Sequence, residues 1–88
     1  MTERQATIVN PLGLHARPAA QLVKLATTFS AQIDLVRDGS SVNGKSIMGV
    51  MMLAAEHGSE LVVRATGADE IAAVEAIAAL IAAGFGEG

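Results

Sequence analysis

Residues 13–20 read GLHARPAA and place His15 two positions before Arg17, with Pro18 directly after. An imidazole is a nucleophile, and a guanidinium has the planar fork of donors that suits a phosphate group. A histidine beside an anion site therefore has the chemistry to accept a phosphoryl group and to give it away. A single His-x-Arg is a weak motif, so its meaning depends on the element that positions it.

Pro18 indicates where that element begins, because proline is favoured in the first turn of a helix. We predict a helix that starts near Ala16, with His15 at or next to its N-cap. The backbone N–H groups of Ala16 and Arg17 then have no intrahelical acceptor, and with the helix dipole they form an anion site. Small neighbours such as Ala20 leave room for a partner's active site to approach.

Other interpretations of this segment stay open. His15 could be an imperfect N-cap and Arg17 a solvated charge. The helix N-terminus could also bind a free anion without covalent chemistry. A metal shared by His15 and His57 is disfavoured, since no cysteine or further histidine lies near either. We therefore predict neither a metal nor a cofactor.

Residues 46–55, SIMGVMMLAA, are apolar around the whole circumference of a predicted helix. A short helix on a small sheet buries only one face. If Val50 and Leu53 point inward, four large apolar residues are left exposed, namely Ile47, Met48, Met51 and Met52. Exposed methionines are typical of adaptable docking surfaces. The alternative is that this helix lies in a deeper groove and the methionines fill the core.

Ser46 has two interpretations as well. As the N-cap of this helix it stabilises the helix by about 1 kcal/mol. As a phosphorylation site it places a dianion where the helix dipole tolerates negative charge, next to an apolar docking surface. Phosphorylation would then weaken docking without unfolding the domain.

The chain between these motifs alternates strand and helix patterns. We predict strands over residues 5–10, 32–37, 40–43 and 60–66, and helices over 16–29, 46–55 and from a cap at Asp69 to a stop at Gly84. The order β-α-β-β-α-β-α predicts an α+β fold with a mostly antiparallel sheet covered on one face by helices. The last helix has its apolar stripe at Ile71, Val74, Ile77, Ala78 and Ile81. We expect residues 84–88 to be a frayed tail.

Composition limits the class of protein. The 88 residues contain no linker or repeat, which predicts a single domain over residues 1–88. A net charge of -3 and the absence of Trp and Tyr argue against nucleic acid as a partner. The N-terminus lacks a signal-peptide pattern, and no apolar run has membrane-spanning length. We therefore expect a cytoplasmic protein without membrane insertion, and nothing demands more than a monomer.

The two motifs GLHARPAA and VNGKSIMGVMMLAAEHGSEL, in this order and spacing, resemble the HPr family. Its members are the histidine-containing phosphocarriers of the bacterial phosphoenolpyruvate-dependent phosphotransferase system. The resemblance covers nearly the whole chain. It implies an open-faced β-sandwich, in which a four-stranded antiparallel sheet lies under three helices.

The resemblance also implies a reaction. Enzyme I would donate a phosphoryl group, derived from phosphoenolpyruvate, to Nδ1 of His15, and the carrier would pass it to a histidine on an EIIA domain of the sugar system. Arg17 would stabilise the phosphoryl group during transfer. Such a chain is a carrier with a phosphohistidine intermediate rather than a stand-alone enzyme.

For the second motif, the resemblance implies regulation and docking. Ser46 matches the position that HPr kinase/phosphorylase modifies in bacteria that have it. Ile47, Met48 and Met51 match the docking surface, to which we add Ala20 and Lys24 on the first helix. The C-terminal segment IAALIAAGFGEG resembles the nitrogen-branch paralogue, NPr, as much as the sugar-branch carriers. A nitrogen-branch carrier or a purely regulatory interaction module is thus the alternative, and His15 together with Arg17 favours a carrier.

Overall fold

A computed structural model describes residues 1–87, which form four strands, three helices and one 3₁₀ turn. Their order is β1 (Thr2–Thr7), α1 (Ala16–Ala26), β2 (Gln32–Arg37), β3 (Ser40–Asn43), α2 (Ile47–Met52), β4 (Glu60–Thr66), α3 (Glu70–Ala82) and the 3₁₀ turn Gly84–Gly86. The sheet has the order β1-β4-β2-β3, and each neighbouring pair is antiparallel. The predicted α+β open-faced β-sandwich is confirmed.

The core lies between one face of the sheet and the helices. Along β2 and β4 the inward residues alternate with exposed or half-buried ones, and those inward residues are Ile33, Leu35, Leu61, Val63 and Ala65. Against them α1 and α3 bury apolar faces that include Leu22, Val74, Ile77 and Ile81. Each large aliphatic side chain removed from water stabilises the fold by about 1.5–3 kcal/mol. The fold therefore rests on aliphatic packing.

Three predicted boundaries were wrong. Strand β1 lies three residues earlier than predicted, because its pairing with β4 begins at Thr2. Helix α1 ends at Ala26, where the hydroxyls of Thr27 and Thr28 donate to the backbone carbonyls of the preceding turn. Helix α2 ends at Met52, because Ala54 adopts a left-handed φ of 51°.

The face and the cap of α3 also differ from the prediction. Ile71, expected on the apolar stripe, is 67% exposed, and Ala73 takes the buried position instead. Asp69 stands at the N-cap but makes no side-chain bond to its own helix. Its carboxylate accepts the backbone N–H groups of Ser30 and Ala31, at 2.9 and 2.8 Å. It thus joins the α1–β2 connection to the start of α3.

The C-terminal segment is packed rather than frayed over residues 84–87. Phe85 is 3% exposed and belongs to the core cluster. Gly84 and Gly86 have φ values of 64° and 74°, which let the chain turn tightly around the phenylalanine. The expectation of a frayed tail was therefore wrong for these residues, and for Gly88 it lies outside the described residues.

Gly13 shapes the connection between β1 and α1. Its φ is 68°, and a Cβ built on it would lie 2.5 Å from the carbonyl oxygen of Ala55. The next residue, Leu14, donates its N–H to that same carbonyl at 2.9 Å. The connection is therefore pressed against the α2–β4 loop at a place where only glycine fits.

We expect Gly13→Ala to lower the free energy of unfolding by more than Gly39→Ala does. Gly39 also has a positive φ, of 81°, but a Cβ there would meet open space. Gly39→Ala thus adds only left-handed strain of about 1 to 2 kcal/mol, whereas Gly13→Ala adds a clash with backbone. Urea unfolding of both variants measures the difference, and equal losses would contradict the contact with Ala55.

The Asp69 contact predicts a pH dependence of stability. The backbone N–H of Ser30 has the largest effect and lowers the pKa of Asp69; burial opposes it, the N–H of Ala31 lowers the pKa further, and the net pKa is below its usual 3.8. A lowered folded pKa gives stability that is fully present above the unfolded pKa and lost as the pH falls through the folded one. We expect Asp69→Ala to have a lower urea midpoint than wild type at pH 7. The difference between the two midpoints should become smaller below pH 3.8.

The matched control for that experiment is Glu56→Ala. Glu56 is exposed, and within residues 1–87 its carboxylate forms no ion pair. The urea midpoint of Glu56→Ala should equal that of wild type at pH 7 and below pH 3.8. If the difference in urea midpoint between Asp69→Ala and wild type stays constant below pH 3.8, the charge of the Asp69 carboxylate does not hold the α1–β2 connection.

Candidate functional site

The N-terminus of α1 forms the candidate site. His15 is the N-cap, with φ -76° and ψ -174°, and its side chain makes no capping bond. Its carbonyl accepts the N–H of Ala19 at 3.0 Å, which is the first helical bond. Pro18 has no N–H, so the donors of Ala16 and Arg17, both exposed residues, are the ones this helix end leaves unpaired. The predicted placement of His15 beside these donors is confirmed.

The imidazole of His15 contacts a carboxylate from the other end of the chain. Its Nε2 lies 3.0 Å from Oε2 and 3.3 Å from Oε1 of Glu87. The His15 side chain remains 36% exposed, while that of Glu87 is 18% exposed. Within residues 1–87 no hydrogen bond involves Nδ1 of His15. The ring is thus held through one nitrogen and has the other available.

Asn10 completes this cluster and is almost fully buried. Its Nδ2 donates to the carbonyl of Gly13 at 2.8 Å and to Oε1 of Glu87 at 3.0 Å. Its Oδ1 has no hydrogen-bond partner in the part of the chain described here. Turning the amide over would set Oδ1 against two acceptor oxygens, so the contacts fix its orientation. Asn10 thereby ties the site's turn to Glu87.

Sequence reasoning missed both Asn10 and Glu87. The signal for Glu87 was Phe85, one of only 2 phenylalanines in an aromatic-poor chain. A phenylalanine in a short terminal segment favours packing over fraying. For Asn10, the residue type alone fits a turn, and only the folded structure shows that its amide is buried.

Opposite effects act on the Glu87 carboxyl. Burial raises its pKa, but hydrogen bonds from Asn10 and His15 and the nearby charges of His15 and Arg17 lower it, and the net pKa is below the ordinary value. Glu87 is therefore ionised at neutral pH. It shares a shallow concavity with Arg17 and Leu12, so charges of both signs lie at the α1 N-terminus.

Helix α2 carries the second set of predicted residues. The Ser46 hydroxyl accepts the N–H of Gly49 at 3.1 Å, which confirms Ser46 as the N-cap. Val50 and Leu53 are buried, whereas the large exposed residues are Ile47, Met48, Met51 and Met52. The expected exposure is confirmed, and the alternative that the methionines fill the core is wrong.

The two helices bring these sets side by side, because α1 packs against α2. Ala16, Ala20 and Lys24 recur every four residues along α1 and are exposed. We call these three residues, together with Ile47, Met48, Met51 and Met52, the α1–α2 surface. Leu12, 75% exposed in the loop before α1, adds an apolar residue that the sequence-based docking set lacked.

Residues 1–87 contain neither a candidate metal site nor a helix suited to cross a membrane. Among residues 1–87, no group of three or more His, Cys, Asp or Glu side chains could hold a metal ion. His57 is exposed and does not join His15 in such a group. None of the helices in the described chain combines the length and the apolar character that a membrane crossing requires.

Comparisons with known proteins show which family has this fold and this site. The family model described as "PTS HPr component phosphorylation site" matches residues 2–83. The phosphocarrier protein HPr of Cupriavidus necator is 52% identical over 88 residues, which cover 100% of this chain and 99% of that protein. The family model and this relative thus place the chain among components of the phosphotransferase system.

Solved structures agree with the sequence comparison. A crystal structure of HPr from Thermoanaerobacter tengcongensis has a TM-score of 0.96 at 45% identity, covering 100% of this chain and 99% of that one. A crystal structure of an HPr dimer from the same organism has a TM-score of 0.79 at 46% identity, with 99% and 100% covered. The chain belongs to the HPr family, and a general role as a phosphocarrier of the phosphotransferase system follows from that membership.

Proposed function

We propose that this chain accepts a phosphoryl group on His15 from phosphorylated enzyme I and passes it to EIIA domains of the sugar phosphotransferase system. The observation that carries the proposal is the position of His15. Its ring lies at the N-cap, beside the N–H groups of Ala16 and Arg17, and Nε2 contacts Glu87, while within residues 1–87 neither these N–H groups nor Nδ1 has a hydrogen-bond partner. A nucleophile and an anion site therefore lie next to each other.

In the proposed reaction Nδ1 of His15 attacks the phosphorus atom as the donor's phosphorus–nitrogen bond breaks. The phosphoryl oxygens meet the N–H groups of Ala16 and Arg17 and the positive end of α1. The guanidinium of Arg17 adds a second source of charge-assisted hydrogen bonds. Arg17 is exposed, and it forms no ion pair within residues 1–87, so its donors are free for this task.

Partners would dock on the α1–α2 surface. Its large apolar residues supply the desolvated centre of an interface, and the flexible methionines can adapt to more than one partner. Lys24 adds a positive charge at the edge of that centre. Enzyme I and EIIA domains would use this surface in turn, because each must bring its own phosphorylated residue to His15.

Incubation with enzyme I and phosphoenolpyruvate should place acid-labile phosphate on the wild-type protein, and His15→Ala should abolish the label. The matched control is His57→Ala, since His57 is exposed and distant in sequence from the site. It should label like wild type. Labelling of His15→Ala at the wild-type level would contradict the proposal.

Ser46 would control docking, as a substrate of HPr kinase/phosphorylase in a cell that has this enzyme. Its hydroxyl caps α2, and a phosphate there lies near the Gly49 N–H and the positive end of the helix. The added charge would stand beside Ile47 and would have to be desolvated when a partner docks.

We expect Ser46→Asp to weaken binding to enzyme I at least several-fold while the urea midpoint stays near that of wild type. Aspartate is itself a good N-cap, so α2 should survive the change. Ser41→Asp adds the same charge to the exposed part of β3 and is the control. Titration calorimetry measures both affinities, and equal affinities would exclude an electrostatic switch at Ser46.

Three features of the proposal depend on family membership more than on geometry. The sugar branch is preferred to the nitrogen branch because the KSIMGVM segment is intact. A purely regulatory module is disfavoured because His15 and Arg17 are both present at the α1 N-terminus. A cytoplasmic monomer stays our prediction, although the dimeric HPr of T. tengcongensis shows that a related chain can pair.

A further inference from the structure

The contact between Glu87 and His15 determines which ring nitrogen carries the proton. An ionised carboxylate can only accept hydrogen bonds, and both of its oxygens lie within 3.3 Å of Nε2. A neutral imidazole makes this contact favourable only when its proton is on Nε2. The tautomer with the proton on Nδ1 would set a nitrogen lone pair against a negative charge.

We propose that Glu87 is a positioning residue that holds His15 in the Nε2-protonated tautomer, so that the lone pair of Nδ1 faces the incoming phosphoryl group. This inference rests on the proposed function of His15 as the phosphoryl acceptor. It assigns to the C-terminal segment a part in the reaction in addition to its part in packing.

The proton and charge balance of the transfer supports this arrangement. The Nδ1–phosphorus bond forms, and the electron pair of the breaking phosphorus–nitrogen bond returns to the donor's nitrogen. The Nε2 proton stays on the ring, which becomes a phosphorylated imidazolium with positive charge shared over both nitrogens. Glu87 faces that positive charge directly, and it does so from the nitrogen on the side away from the phosphoryl group.

The structure builds the position of Glu87 from several contacts. Asn10 holds Oε1 at 3.0 Å through an amide that is itself buried. Phe85 adopts a left-handed φ of 56° and is kept there by its place in the core. A non-glycine residue in that conformation is strained, and tertiary packing must offset the strain. Glu87 is thus held through its own carboxylate and through the packed residue two positions before it.

Charges near the site are compatible with a carboxylate there. Arg17 and His15 are the charged or titratable groups that act on Glu87, and Arg17 lines the same concavity. The negative charge of Glu87 alone would repel a phosphoryl group. Arg17 and the free N–H groups of the helix offset this repulsion on the side where the phosphoryl group arrives.

The test combines ¹⁵N NMR of the ring with transfer kinetics on the full chain. For the neutral ring of wild type we expect the shift of Nδ1 to be that of an unprotonated nitrogen and the shift of Nε2 that of a protonated one. In Glu87→Ala the two shifts should move toward each other as the tautomers mix. Glu87→Gln keeps an acceptor oxygen and should restore most of the wild-type pattern.

The kinetic measurement is phosphoryl transfer from phosphorylated enzyme I. We expect Glu87→Ala to lower the turnover number by about tenfold or more, the size that follows from losing one hydrogen bond to a charged group. KM should change little, because docking uses the α1–α2 surface. Glu60→Ala removes an exposed carboxylate that has no ion pair within residues 1–87, and it should match wild type in both measurements.

The outcomes separate this inference from the proposed function. If His15→Ala still labels, the proposed function fails, whatever the NMR shows. If His15→Ala loses the label while Glu87→Ala keeps both the wild-type tautomer and the wild-type rate, only the role of Glu87 fails. A slower Glu87→Ala with an unchanged tautomer, or one that Glu87→Gln does not rescue, would overturn positioning through the hydrogen bond.

Discussion

The turn from Asn10 to Gly13, whose first and last residues are buried, is the constraint on which the site depends. Gly13 is pressed against the Ala55 carbonyl, and Leu14 donates its N–H to the same oxygen. The α2–β4 loop therefore determines where α1 begins. Asn10 extends the constraint to Glu87, because one amide group bonds both the Gly13 carbonyl and the Glu87 carboxylate. Three segments distant in sequence thus converge on His15.

That convergence gives the two nitrogens of the His15 ring different surroundings. At Nε2 the ring meets a carboxylate held in a partly buried place. The start of α1 contributes unpaired N–H groups and the charge of Arg17, and both favour an anion. The cluster therefore combines a negative charge that contacts the ring with positive charge that would bind the transferred group. The proposed transfer needs both charges, because the ring of His15 would have to attract a phosphoryl group and later release it.

Local chemistry explains what the sequence predicts well. Pro18 and the Ser46 cap act within a few residues, and the alternation in β4 needs only its own neighbours. The sequence-based predictions that were wrong involve contacts between distant segments. Asp69 finds better donors across the chain than in its own helix. On α3, nearly every position is apolar, so periodicity cannot select the buried face, and Ile71 lies outside it. The sequence alone suggests that the last residues are frayed, whereas the structure places Phe85 of this segment in the core.

The proposed docking residues and the proposed nucleophile depend on largely different elements of this fold, and that division would affect regulation. The proposed nucleophile, His15, is held by the turn at Gly13 and by the C-terminal segment, whereas the exposed apolar residues belong mainly to α2. The Ser46 hydroxyl contacts the first turn of α2 and none of the groups around His15. A charge placed at Ser46 would thus act on docking and leave the tautomer and the anion site of His15 intact. The two functions meet where α1 packs against α2 and where the Ala55 carbonyl contacts the turn before α1, so changes confined to the exposed face of α2 would leave the His15 site in place.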